Sequence, residues 1–146
     1  MYYNYSLEHV TQLRSVARER NLYAPTDFWS TPNEQLRICY NGIGPEAWSP
    51  VLRSAVTRCL DNFESDALIH DYEYEHAPRT YSAFTKANLR FACNAIMNAF
   101  YCTNLTTGFR HAGLGIFLAL LCQIFGWHGF RDKKCKINKL KELIKK

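Results

Sequence analysis

The chain of 146 residues is 47% apolar and 14% aromatic, enough to bury the core of one domain. Its formal charge of +5 is concentrated at one end: from Arg131 to Lys146, eight Lys or Arg stand against Asp132 and Glu142, and the remainder is close to neutral. The basic character therefore belongs to the tail and says little about the rest; nucleic-acid binding through the tail would be unspecific, and nucleic acid is not the expected partner. The opening Met1-Tyr2-Tyr3-Asn4-Tyr5 lacks the basic segment and apolar run of a signal peptide, so a cytoplasmic or membrane-peripheral location is expected.

In chain order, the first predicted element is an amphipathic helix from Ser6 to Arg20. Ser6 caps it, and Leu7, Val10, Leu13 and Ala17 fall on one face. Asn21 to Trp48 is punctuated by Pro25, Pro32, Gly42, Gly44 and Pro45 and reads as loop. Ser49-Pro50 has the form of an N-cap followed by proline at the first helical position. The helix it starts carries an apolar stripe through Leu52, Val56, Cys59, Phe63 and Ala67. The same spacing continues to His70 and Tyr74, so His70 is expected on the core-facing side, and Asp71 is turned from it by about 100°. His76-Ala77-Pro78 ends the element.

A second long helix is expected from Tyr81 to Cys102, with Phe84, Asn88, Phe91, Ala95 and Asn98 inward. The short link between the two favours an antiparallel hairpin, in which His70 and Asn88 can meet. Next comes the nearly uncharged run Ala112 to Trp127, readable as a core helix or as a membrane-docking or membrane-inserted one. It is short of the roughly 20 apolar residues of a span, and Gln123 and His128 break its apolar character. The basic segment 131–146 reads as a short terminal helix or tail, able to face anionic headgroups.

The six cysteines include no CxxC pair, and three sit in helical patterns, so they are expected to be reduced and mostly buried rather than zinc ligands. A zinc site from His70 and His76 with His111 or His128 has no supporting spacing. A phosphohydrolase of the HD type would need more spaced His and Asp ligands than the one upstream histidine, His9.

Two segments carry most of the chemical information. Tyr40-Asn41-Gly42-Ile43-Gly44 is a glycine-punctuated loop that can turn sharply and present carbonyl oxygens, the ligands a hard cation needs. His70-Asp71-Tyr72-Glu73-Tyr74 places an imidazole, a carboxylate and a phenol close together on one helix, and an imidazole can act as the base for a hydrolytic water.

Together, Tyr40-x-Gly42-x-Gly44 and His70-Asp71-x-x-Tyr74 resemble the phospholipase A2 superfamily, most of all the compact, disulfide-poor domains of some viral capsid proteins. The segment 39–98 carries the likeness, and the chain also resembles small prophage proteins with an N-G-x-G-P and H-D core. The resemblance implies a mainly α fold of two long antiparallel helices, a glycine-rich calcium-type loop and flanking helices, in one domain over 1–130. It implies Ca2+ held by the carbonyls of Tyr40, Gly42 and Gly44 and by Asp71. It implies His70 as the base, with its second nitrogen held by an acceptor that Tyr74 braces. The family's acceptor is an aspartate within A-D-x-x-F, and this chain has Ala87-Asn88-Leu89-Arg90-Phe91 there. The expectation is therefore a calcium-dependent hydrolase of phospholipid acyl esters, slowed by Asn88. Its alternative is a silent lipid- or partner-binding phage accessory protein.

Overall fold

The computed structural model describes residues 5–44, 49, 57, 60–101 and 104–132. Among these the regular elements are helices, with no strand. Helix α1 (Leu7–Glu19) begins where Ser6 Oγ accepts the His9 N–H, a cap of the kind that contributes about 1 kcal/mol. Val10, Leu13 and Ala17 face the core, as their spacing requires, whereas Leu7, in the first turn, is exposed.

Within the segment expected as loop from Asn21 to Trp48, the described residues 21–44 are more ordered than that chemistry suggests. They contain a 3-10 turn at Thr26–Trp29 and helix α2 (Asn33–Cys39). Pro25 and Pro32 stand immediately before these two elements, at φ −57° and −58°. Proline's fixed φ and missing N–H break a helix interior but suit a helix start, so here the two prolines initiate turns.

The helix expected to run unbroken from Pro50 to His76 is interrupted. A 3-10 turn occupies Asp61–Phe63, after Leu60 at φ −122°, and helix α3 follows as Glu64–His76. The expected Pro50 start and the stripe residues Leu52, Val56 and Cys59 lie outside the described residues. Phe63, in the 3-10 turn, and Ala67 beyond it are buried as expected, and His70 and Tyr74 are half-buried.

Helix α4 (Tyr81–Tyr101) buries the whole expected stripe of Phe84, Asn88, Phe91, Ala95 and Asn98. It runs antiparallel to α3: Asn98 lies beside Ser65 and Asp66 near the start of α3, and Asn88 lies beside His70 and Tyr74 further on. Helix α5 (Leu105–Phe125) starts seven residues before the apolar run, where Asn104 Oδ1 accepts the Thr107 N–H. It packs along α4, and helix α6 (Trp127–Asp132) folds back to bury Phe130 against Phe84 and Tyr74. The basic segment from residue 133 onward lies outside the described residues.

α3 is enclosed by α1, α2 and α4, and it is buried on nearly every face. Several of its polar side chains meet partners inside the protein. Glu64 meets His9 Nε2 at 2.6 Å and Glu73 meets Arg90 at 2.6 Å. Asp66 lies against the Asn98 amide with Arg20 nearby. Burial pushes the Asp66 carboxyl up to about 8, against the opposing pull of Asn98 and Arg20. Cys39, Cys93 and Cys122 are free thiols, Cys39 fully buried.

α4 and α5 approach closely at Gly115. A Cβ there would sit 2.4 Å from Ala95 Cβ and 3.1 Å from Phe63 Cε1, whereas one at Gly113 would meet nothing within 4 Å. The two positions therefore make a matched test, because each Gly→Ala change carries the same gain in helix propensity. Gly113→Ala is expected to raise unfolding stability by about 0.5–1 kcal/mol. Gly115→Ala is expected to lower it by about 1–3 kcal/mol through overpacking, both read by urea denaturation.

A second expectation concerns Asp66. Its carboxyl keeps a proton in the native state that the unfolded chain releases at ordinary carboxylate pH. The stability it contributes is therefore full at acid pH and falls as pH rises through the window up to about 8. Asp66→Asn should flatten the fall in urea midpoint between about pH 5.5 and about pH 8.

Candidate functional site

The glycine loop follows α2 directly. Tyr40 is the α2 C-cap, in extended backbone, with its ring buried at the core. Gly42 and Gly44 take φ of +79° and +120°, a region that side chains strain. At Gly42 a Cβ would also lie 2.2 Å from the Tyr5 hydroxyl, so the loop backbone is in direct contact with the chain entering α1. The Ile43 N–H donates to Thr57 Oγ1 at 2.9 Å, which fixes the tip of the loop.

The loop is also tied to α3. The Asn41 N–H donates to Asp71 Oδ2 at 2.8 Å, across 30 residues of sequence. The turn of about 100° between neighbouring helix positions thus has a consequence: Asp71 reaches the loop while His70 faces α4.

On the α4 side, His70 Nε2 lies 2.9 Å from Asn88 Oδ1, and the Tyr74 hydroxyl donates to the same oxygen at 2.8 Å. An amide oxygen can only accept, so this orientation of Asn88 calls for the His70 proton on Nε2, with Nδ1 as the basic nitrogen. The imidazole is flanked by the Tyr74 and Phe91 rings, with centroids 4.1 and 5.1 Å away. Burial raises the Tyr74 phenol well above its ordinary range, so it remains a donor at all working pH. Asn88 is 3% exposed, and its own N–H donates to Gln123 Oε1 at 2.8 Å. It is bonded to side chains rather than to backbone. The neighbouring inward amides differ: Asn94 clamps both backbone groups of Tyr23, and Asn98 reaches the Asn62 carbonyl.

The structure therefore forms two groupings from the sequence-predicted residues. His70, Asn88 and Tyr74 share one hydrogen-bonded cluster, and Asp71 is joined to the Tyr40–Gly44 loop. Three of the other four histidines are engaged elsewhere. His9 pairs with Glu64, His76 Nδ1 meets the Tyr72 carbonyl at 2.9 Å, and His111 packs on Phe63. Among the described residues no three His, Cys, Asp or Glu side chains gather to hold a metal. A cation at the loop would draw on one carboxylate, Asp71, and on main-chain carbonyls, the hard oxygen donors that suit calcium and not zinc.

Two residues at the site escape the sequence reading, and both come from α5. Gln123 contacts Asn88, and Cys122 lies within the field of Asp71; burial first and Asp71 second push its thiol up to about 11, so it stays neutral. The available signal was Gln123 itself, an amide inside an otherwise apolar run. No family model, curated protein or solved structure matches this chain.

Proposed function

We propose that the chain is a phospholipase A2-like, calcium-dependent hydrolase of phospholipid acyl esters. The observation that supports this most strongly is the coexistence, on one turn of α3, of His70 bonded to Asn88 and Asp71 bonded to the glycine loop. On this reading, the Nδ1 of His70 takes a proton from a water as the water oxygen attacks the ester carbonyl carbon. The tetrahedral centre then collapses, and His70 returns the proton to the departing alcohol oxygen. Asn88 holds the Nε2–H through both steps, and Tyr74 holds Asn88. Asp71 and the carbonyls of Tyr40, Gly42 and Gly44 are the residues that would hold calcium, which when bound supplies positive charge to the developing oxyanion.

Asn88 sets the limit of this chemistry. Its oxygen orients the imidazole, but it lacks the full negative charge that stabilises an imidazolium. A slow enzyme follows. The same residue favours the second reading, a catalytically silent relative that binds lipid or a protein partner, as a phage accessory protein would.

α5 suits either reading as the surface that meets phospholipid. It is long and apolar enough to cross a membrane, yet in this fold it lies along α4 and only 22% of its apolar window is buried. Phe109, Phe117, Leu120, Ile124 and Phe125 are each more than half exposed. Such a face covered by acyl chains would bring the ester to a site whose Gln123 belongs to the same helix. The basic residues from Arg131 on follow in sequence and match anionic headgroups.

Fatty-acid release from anionic phospholipid vesicles at millimolar calcium tests the proposal. Wild type should release fatty acid slowly, and His70→Ala should lower release by about 10²–10⁴-fold. Asn88→Asp should preserve or raise the rate. Absence of release from both wild type and Asn88→Asp would overturn the enzyme reading, and vesicle co-sedimentation would then test the lipid-binding one.

A further inference from the structure

A carboxylate accepts a hydrogen bond whichever way it turns, but a carboxamide does not. With asparagine at position 88, one orientation presents Oδ1 to His70 and the other presents an N–H. The first requires the imidazole proton on Nε2. The second requires the lone pair there and shifts the proton to Nδ1. His70 can act as a base through Nδ1 only in the first case. Some contact behind Asn88 must therefore settle its orientation.

We propose that Gln123 is that contact: a positioning residue on α5 that locks the Asn88 amide with its oxygen toward His70. Its bearing on catalysis rests on the function proposed above; its bearing on the imidazole proton does not. Gln123 Oε1 accepts the Asn88 N–H at 2.8 Å. Its own Nε2 donates to Tyr81 Oη at 3.1 Å and to Thr85 Oγ1 at 3.2 Å. Tyr81, Thr85 and Asn88 stand at i, i+4 and i+7 on α4, so one row of that helix engages both ends of the glutamine amide. Asn88 Oδ1 meanwhile accepts from both His70 and Tyr74. The polar atoms of both amides are thereby engaged in this orientation. Reversing Asn88 alone would set its oxygen against the oxygen of Gln123. The placement also accounts for an amide in the apolar run Ala112–Trp127.

The readout is the 15N pattern of the His70 ring at about pH 8, above the ordinary histidine titration, with thermal unfolding as the control for folding. Wild type should show one tautomer, protonated on Nε2. Gln123→Glu keeps an acceptor for the Asn88 N–H and should keep that pattern. Gln123→Leu, or Gln123→Met should the leucine variant not fold, removes the acceptor and should give loss of the single-tautomer pattern. Asn88→Asp added to the same variant should restore it, because either carboxylate oxygen accepts the Nε2–H. A wild-type proton on Nδ1, an unchanged pattern in Gln123→Leu or Gln123→Met, or a failed Asn88→Asp rescue would each overturn the assignment. None of these outcomes depends on ester hydrolysis, so a wild type without activity would sink the enzyme reading and leave this one standing.

Discussion

The hydrogen bond between His70 and Asn88 is the constraint on which the rest of the site depends. It exists because α3 and α4 run antiparallel with a link of only a few residues, and because both side chains lie on inward stripes. Asn88 is nearly fully buried, so each of its polar atoms must find a partner inside the protein. Leaving one unmet would cost about 1–3 kcal/mol. His70 and Tyr74 come from α3 and Gln123 from α5, so one amide secures the relative position of three helices. Packing serves the same end: the close approach at Gly115 brings α5 near enough for Gln123 to reach Asn88.

The second half of the site uses the same helix differently. Asp71 is one residue beyond His70 and faces away from α4, toward the loop after α2. That loop is anchored from three directions, by Asp71, by Thr57 and by the Tyr5 hydroxyl resting on Gly42. The residues proposed to hold a cation and those proposed to handle a proton are thus coupled through a single helical turn. The enclosed position of α3 keeps that turn fixed, with Glu64, Asp66 and Glu73 each engaged by a neighbour.

Much of this was legible in the sequence, for physical reasons that differ by element. The Ser6 cap, the α1 stripe and the α4 stripe follow from local chemistry and a 3.6-residue period, and they appear where that period puts them. The meeting of His70 with Asn88 follows from the hairpin. The 3-10 turn and α2 are not legible in the same way, because a proline in a loop-rich stretch is as good a breaker as it is a helix start. The interruption at Leu60–Phe63 was missed because an apolar stripe persists across it. Position along a stripe records which way a side chain faces and is silent on a local change of turn. Gln123 was visible only as a blemish in an apolar run. Its role depends on which helix packs beside α4 and in what register, a tertiary fact that no local pattern carries. Asn88 was visible as a departure from the phospholipase A2 motif, but its orientation came from three neighbours distant in sequence.

Calcium held by the loop and Asp71 is the central requirement of the proposed function. A crystal structure determined in millimolar calcium measures this directly. The expected result is one ion with the Asp71 carboxylate and the carbonyl oxygens of Tyr40, Gly42 and Gly44 each about 2.3–2.6 Å away. A loop that stays empty under those conditions, or an ion held by other residues while Asp71 keeps only its bond to Asn41, would contradict it.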